Sequence, residues 1–185
     1  MEDLLDFVEY LSKLKLTVRT GWKMLEVEKG ETIGSHSFST AFLAWILAKK
    51  KKLDVNKTIK MALIHDLIEG ITGDVSAVEE KYIIKHSLEE KAMPELKKIL
   101  PKELENDVEN LILELNEGKT EESKVVKEAD KLDTAFQAFL YNKTGEINQF
   151  DLSGFIEFAE EVCQEGHSKE LIDYIKSLQK NKKSK

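Results

Sequence analysis

Apolar side chains recur every three or four positions along most of the chain, and this spacing predicts amphipathic helices. The first helix carries its apolar stripe at Leu4, Leu5, Val8, Leu11 and Leu14. Further helices are predicted over residues 35–52, from Asp54 or Asn56 to about residues 70–73, and over residues 83–100, 102–116, 120–141, 152–163 and 168–179. The pattern contains no period-two strand, hairpin or internal repeat. The sequence therefore predicts an all-α fold, a single compact multi-helix bundle.

Prolines and glycines mark the expected joints between these helices. Residues 17–34 contain three glycines and are predicted to form a loop. Pro101 suits the first turn of its helix, where a missing N–H costs nothing. Pro94 is predicted to kink its helix or to restart it. The best-defined late helix, residues 120–141, has an apolar stripe at Val125, Ala129, Leu132, Phe136 and Phe139.

Composition narrows the class of protein. The 2 Pro and 9 Gly among 185 residues are roughly half of average usage, which favours long helices. The net charge of −7 repels phosphate backbones, so neither DNA nor RNA is expected as a partner. No stretch approaches the roughly 20 apolar residues that cross a bilayer, the N-terminus is acidic where a signal peptide is basic, and the single Cys163 forms no internal disulfide. We expect a cytoplasmic protein with no membrane partner, one domain over residues 1–180 and a flexible basic tail over residues 181–185.

Four side chains of metal-ligand type lie on segments that otherwise have the pattern of core helices. They are His36, His65, Asp66 and Asp130. Taken one by one, each is more simply explained as a surface histidine or a solvated acid. Together they form an ordered His…His-Asp…Asp pattern. The charged side chains of a buried His-Asp dipeptide are expensive to bury unless they are matched by opposite charges or coordinate a metal. Two imidazoles and two carboxylates suit Mn, Fe, Co, Ni or Zn rather than Ca.

This pattern resembles the signature of the HD-domain metal-dependent phosphohydrolases, and within them the 5'-deoxynucleotidase branch that includes archaeal oxetanocin-like proteins. The resemblance extends from residue 19 to about residue 141. The segments that carry it, in the family's order, are Arg19-Thr-Gly-Trp22, Glu31-Thr-Ile-Gly-Ser-His36, Ala62-Leu-Ile-His-Asp-Leu-Ile-Glu69, Gly73-Asp74, Glu89-Glu-Lys-Ala-Met93 and Val126-Lys-Glu-Ala-Asp-Lys-Leu-Asp133.

The resemblance implies a role for each of these motif residues. It implies that one divalent transition metal is bound by His36, His65, Asp66 and Asp130. It further implies that Arg19 contacts the substrate phosphate and that Glu69 and Asp74 serve the hydrolysis step. A guanidinium and a metal suit a phosphate dianion, and a residue four positions after His65 shares its helix face. Which of the two acids is the base stays open.

Three positions depart from the pattern of that branch. Ser35 replaces a residue that is commonly acidic, and Asp133 replaces a glutamate three residues after the last motif aspartate. Some relatives place a tryptophan directly after the arginine, whereas Trp22 is three residues away. For Trp22 the sequence leaves two roles open, a substrate contact or an aromatic plug over the core.

The resemblance implies an enzyme that cleaves deoxynucleoside 5'-monophosphates to the deoxynucleoside and phosphate. We expect little regard for the base, because no polar group near the motifs is dedicated to base edges. Two alternatives are an HD-type hydrolase of a cyclic nucleotide, nucleoside triphosphate or alarmone, and a non-catalytic nucleotide- or metal-binding module. Glu69 and Asp74 argue against the module, which needs no general acid or base. A homodimer is expected from the late aromatic residues Phe150, Phe155 and Phe158, which could equally close the protein's own core.

Overall fold

The computed structural model describes residues 2–74 and 79–182, with side chains over residues 4–74 and 87–179. The all-α prediction is confirmed for these residues, whose only β feature is an isolated bridge between Val18 and Thr32. The helices are α1 Glu2–Leu16, α2 Thr20–Met24, α3 Ile33–Lys51, α4 Val55–Ile64, α5 Glu69–Thr72, α6 Glu79–Ile99, α7 Glu105–Glu117, α8 Glu121–Thr144, α9 Gln149–Val162 and α10 Gly166–Lys182. The last three residues of the predicted tail lie outside the described residues.

Helices α3 and α8 form the centre of the bundle. Helix α4 packs on both of them, and α9 and α10 pack against α8. The main core fills the space between these helices with fully buried residues that include Leu47, Met61, Leu132, Leu152 and Ile172. A second apolar cluster joins α1 to the turn after α4 and to α6 and α7. Among the helices that the structure describes, none is both long and apolar enough to cross a membrane.

Capping residues set the ends of the two central helices. Thr32 and Ser35 form a reciprocal capping box at the start of α3, two residues earlier than the predicted start. Ser35 is thus used locally, at the position where an acid was expected. Thr120 caps α8, and Gly145 ends it in the left-handed conformation with φ of 87°. The central pair of helices is therefore defined by local sequence signals.

The core face of α1 differs from the predicted stripe. Leu4, Leu5 and Val8 are about half exposed, whereas Tyr10 and Leu14 are buried. The stripe prediction was therefore wrong for its first half. The physical reason is that α1 is covered on one side only, where it packs against α3, α5 and α6.

The third predicted helix is interrupted at the site of the His-Asp dipeptide. Helix α4 ends at Ile64, residues 65–68 form a turn, and the short α5 follows. The prediction that His65 and Asp66 lie inside a continuous helix was wrong. The carbonyl of Leu67 accepts a hydrogen bond from the buried Tyr10 hydroxyl, so a contact with α1 replaces part of the helical bonding here.

Smaller differences concern the loop and the prolines. The predicted loop over residues 17–34 contains the short helix α2 and the Val18–Thr32 bridge. Pro101 lies in a turn before α7, and the Leu104 N–H closes this turn by donating to the Pro101 carbonyl. Pro101 is therefore not in the first turn of the helix, where the sequence predicts it. Helix α6 continues through Pro94 without restarting.

Candidate metal centre and active site

The structure brings the four predicted ligands together from three elements. His36 comes from the second turn of α3, His65 and Asp66 from the turn after α4, and Asp130 from the middle of α8. His36 Nε2 lies 3.3 Å from His65 Nε2, 3.1 Å from Asp130 Oδ1 and 3.8 Å from Asp66 Oδ2. His65 Nε2 lies 3.2 Å from Asp66 Oδ2. Ligand atoms of His36, His65 and Asp66 therefore all lie within 4.8 Å of one another, and Asp130 adjoins this group through its contact with His36.

The other ring nitrogen of each histidine has a protein acceptor. His36 Nδ1 lies 2.7 Å from Asp133 Oδ2, and His65 Nδ1 lies 2.7 Å from the Ala62 carbonyl. Such partners place the proton on Nδ1 and leave the Nε2 lone pair for a metal. Both Nε2 atoms belong to the cluster described above. The donor set, two imidazole nitrogens and two carboxylates, therefore fits a divalent transition metal.

The electrostatics of the cluster also suit a cation. Burial opposes protonation of His36, but hydrogen bonds to Asp130 and Asp133 outweigh it and raise its pKa to about 9. Burial likewise opposes ionisation of Asp130, but the charges of Lys131 and the two histidines lower its pKa well below the ordinary value. The site thus holds ionised carboxylate and attracts positive charge, whether as a proton or as a metal ion.

A second pair of buried carboxylates lies behind His36. Glu31 Oε2 is 3.9 Å from His36 Nδ1, on the same side as Asp133. Burial and the neighbouring Asp133 raise the pKa of Glu31. Sequence reasoning did not assign Glu31 a role, and it mentioned Asp133 only as a departure from the family pattern. The position of Asp133 one turn after Asp130, on the same helix face, was the available signal.

Arg19 lies beside the cluster and connects it to Glu31. Its Nη1 donates to Thr134 Oγ1 at 3.0 Å and lies 3.7 Å from Glu31 Oε2. Burial lowers the pKa of Arg19, but the carboxylates of Asp66 and Asp130 contribute most to raising it above its usual value. The guanidinium is therefore held charged at the edge of the candidate metal site.

Glu69 and Asp74 line the same cavity as Arg19, Asp66 and Asp130, and the volume of this cavity is about 590 Å³. Glu69 opens α5 and is 3% exposed. Asp74 is fixed to the start of α2, because its carboxylate accepts the Thr20 N–H and its carbonyl accepts the Thr20 hydroxyl. Both predicted catalytic acids are thus brought to the site by short segments that follow the His-Asp turn.

Trp22 is buried against the core but also contributes to the cavity wall. Its ring packs edge-on against Tyr141 at 5.0 Å and tilted against Phe155 at 4.8 Å. Its indole N–H donates to Glu31 Oε2 at 3.3 Å. The position supports the plug role, with one edge in contact with the cavity.

Lys131 is a cation of the site that sequence reasoning did not assign. Its Nζ lies 2.8 Å from Asp130 Oδ2 and 4.9 Å from the centre of the Phe158 ring. It therefore connects the metal-ligand cluster to an aromatic residue of α9, and all three residues line the cavity.

Comparison with known proteins identifies the family. A family model described as HD domain matches residues 11–171, which include every residue of the cluster. The chain belongs to the HD-domain family. The resemblance inferred from the motifs is confirmed at the level of the family.

Curated relatives and solved structures extend this comparison of the HD-domain chain. A 5'-deoxynucleotidase of Xenopus laevis is 36% identical over 147 residues, which are 77% of this chain and 71% of that protein. A 5'-deoxynucleotidase of Photorhabdus laumondii is 31% identical over 182 residues, 92% of this chain and 89% of that protein. The crystal structure of a Pyrococcus horikoshii protein superposes with a TM-score of 0.75 and 31% identity, covering 94% of this chain and 96% of that one.

Proposed function

We propose that this HD-domain protein is a metal-dependent 5'-deoxynucleotidase, which hydrolyses deoxynucleoside 5'-monophosphates to the deoxynucleoside and phosphate. The observation that carries the proposal is one cavity lined by two of the four metal-ligand candidates, Arg19 and two acids. Relatives named 5'-deoxynucleotidase, found in animals, yeast and bacteria, cover most of the chain. A phosphate monoester is the substrate class that fits this combination of charges.

The metal would be held by His36, His65, Asp66 and Asp130. We assign it to the group Mn, Co, Fe, Ni and Zn, because imidazole and carboxylate donors together suit these ions. When bound, such an ion supplies positive charge to the phosphate and lowers the pKa of water. Asp133 would orient His36 through the Nδ1 hydrogen bond already present.

Arg19 would bind the substrate phosphate. Its guanidinium lines the cavity and is surrounded by carboxylates that keep it charged. A guanidinium offers two parallel N–H donors to a phosphate. Because Nη1 already donates to Thr134, the hydroxyl of Thr134 would help to orient the guanidinium.

Glu69 and Asp74 would handle the protons of the reaction. We assign to Glu69 the acceptance of a proton from the attacking water, because Glu69 lines the same cavity as the proposed ligand Asp66. The Glu69 N–H donates to the Asp66 carbonyl at 3.1 Å, and this hydrogen bond holds the two residues one turn apart. We assign to Asp74 the delivery of a proton to the ribose 5'-oxygen, because its carboxylate accepts the N–H of Thr20. Thr20 follows Arg19 in the chain, so Asp74 is held close to the proposed phosphate-binding residue. A general acid or base typically contributes about 10²- to 10⁴-fold to the rate.

A phosphate-release screen tests this function. The substrates are dAMP, AMP, 3'-dAMP and dATP, each assayed with Mn, Co, Mg and Zn. We expect dAMP to be cleaved fastest, 3'-dAMP to be poor and dATP to be slow. If dATP or a cyclic nucleotide were the fastest substrate, the metal centre would stand but the 5'-deoxynucleotidase assignment would be wrong. Equal rates for AMP and dAMP would remove only the sugar preference.

We also propose that two copies of the chain associate through an aromatic face of α3 and α8. Phe38, Phe42 and Trp45 are exposed, and the ring of Phe42 lies edge-on to Phe38 at 5.1 Å and tilted against Trp45 at 5.9 Å. Phe136 and Leu140 of α8 line the neighbouring groove. The aromatic residues from which the sequence predicted a dimer line the active-site cavity instead. Light scattering of the protein and of Phe42→Asp tests this face, with a monomeric variant expected. The cytoplasmic location stays a prediction.

A further inference from the structure

One side of the active-site cavity is formed by a single face of α9. Phe150, Asp151, Gly154, Glu157 and Phe158 all line it. Their spacing of one, four, seven and eight positions from Phe150 places them on one helical stripe. We call these five residues the α9 face. The same cavity is also lined by Arg19 and by the proposed metal ligands Asp66 and Asp130.

The α9 face has the shape of a slot. Phe150 and Phe158 stand two turns apart, and Gly154 lies midway between them. A Cβ added at Gly154 would meet no atom within 4 Å, so the space above the glycine is open. Phe150 is 86% exposed. An exposed aromatic ring beside an open space provides a surface for a flat apolar group.

Hydrogen-bond acceptors flank this slot. Asp151 and Glu157 contribute carboxylates, which accept hydrogen bonds and do not donate them when ionised. Ser153, on the same wall, donates its hydroxyl proton to the Gln149 carbonyl at 2.9 Å, so its oxygen is also left as an acceptor. The described polar side chains of this wall therefore suit a ligand that brings its own donors.

Lys131 relates the slot to the phosphate end of the cavity. Its Nζ contacts Asp130 at 2.8 Å and lies 4.9 Å from the Phe158 ring centre. The ammonium group of Lys131 therefore lies between the Phe158 ring of α9 and the proposed ligand Asp130. In a nucleoside 5'-monophosphate, one sugar separates the phosphate from the base. A phosphate bound at Arg19 and the cluster would direct its base toward α9.

We propose that the α9 face is the nucleobase seat of the enzyme, and that its carboxylates favour bases carrying an exocyclic amino group over bases that present carbonyls there. This inference rests on the proposed function and replaces the expectation of little regard for the base. The aromatic rings and Gly154 supply the flat surface, and Asp151 and Glu157 accept the amino protons. A carbonyl at the same position would face a carboxylate and be repelled.

The test compares dCMP with dUMP, which differ at the 4-amino or 4-oxo edge, and with 2-deoxyribose 5-phosphate, which lacks a base. We expect kcat/KM to be about tenfold higher for dCMP than for dUMP, the effect typical of a hydrogen bond to a charged group. The double variant Asp151→Asn, Glu157→Gln should bring this ratio close to one. Rates on 2-deoxyribose 5-phosphate should not change.

Gly154→Leu tests the slot itself. Leucine favours helix more than glycine does, so the variant is expected to fold, and its side chain would fill the open space. We expect KM for dCMP to rise about tenfold, in line with the loss of base stacking, with hydrolysis of 2-deoxyribose 5-phosphate unchanged. Glu161→Leu, an exposed position of α9 that does not line the cavity, is the matched control.

The outcomes separate this inference from the proposed function. If the protein cleaves dCMP but Gly154→Leu leaves its KM unchanged, or slows the base-free substrate equally, the α9 face is not the base seat. A dCMP to dUMP ratio of one in the unmodified protein overturns the preference for amino groups. If the protein cleaves no deoxynucleotide with any of the metals, the proposed function itself fails and this inference fails with it.

Discussion

Replacing Glu69 by glutamine separates the proton-transfer role from metal binding. Glu69 is 3% exposed at the start of α5, and glutamine has the same length and nearly the same volume. The substitution therefore keeps the packing but removes a carboxylate that can take a proton. We expect kcat to fall about 10²- to 10⁴-fold, the loss typical of a general base. This corresponds to about 3 to 5 kcal/mol of transition-state stabilisation.

The assay pairs phosphate release from dAMP with elemental analysis of the purified variant. Glu69→Gln should retain its metal. Asp66→Ala is the comparison, because Asp66 Oδ2 lies 3.2 Å from His65 Nε2, and its loss should abolish both metal content and activity. Equal metal loss in the two variants would make Glu69 a ligand or a structural support. An unchanged rate in Glu69→Gln would refute the proton-transfer role outright.

Three further predictions concern metal affinity, packing and the thiol. Asp133→Ala removes the hydrogen-bond acceptor of His36 Nδ1 and should weaken metal binding about 10- to 100-fold in a chelator competition. The metal affinity of Asp133→Asn should be closer to that of the unmodified protein. Gly70→Ala would place a Cβ 2.7 Å from the Tyr10 ring and should lower the free energy of unfolding by about 1–3 kcal/mol, whereas Gly154→Ala meets no atom within 4 Å and should raise it by about 0.5–1 kcal/mol in denaturant titrations. Burial and the charge of Glu128 raise the pKa of Cys163 to about 12, so a thiol reagent at pH 8 should label it only after unfolding; rapid labelling of the native protein would contradict its burial.

The amino-acid pattern was sufficient for the fold class and for the central helices. Thr120 and Gly145 are local signals that cap α8. The observed helix, Glu121–Thr144, therefore ends close to the bounds of 120–141 that the hydrophobic pattern predicts. The ordered His…His-Asp…Asp motif was likewise enough to nominate the four side chains that the structure brings together. These features depend on neighbours in sequence or on chemistry intrinsic to the residue type, and both can be seen without coordinates.

Tertiary contacts decided the rest of the site. A helical period runs through His65 and Asp66, yet the helix stops at Ile64 and the Leu67 carbonyl bonds Tyr10 of α1. That contact joins residues 57 positions apart, so no local pattern contains it.

The surroundings of the ligands depend on the same kind of distant contact. Asp133 reaches His36 across 97 residues because α3 packs on α8. Glu31 meets Arg19 where the Val18–Thr32 bridge joins their two segments, and the Arg19 N–H donates to the Glu31 carbonyl there. The α9 face shows the same limit. Phe150 and Phe158 have the sequence spacing of a core stripe. They line a cavity instead, because α9 packs against α8 and contacts α2 through the Trp22–Phe155 ring pair. Hydrophobic periodicity reports that a helix has an apolar face, but which surface covers that face is a property of the assembled fold.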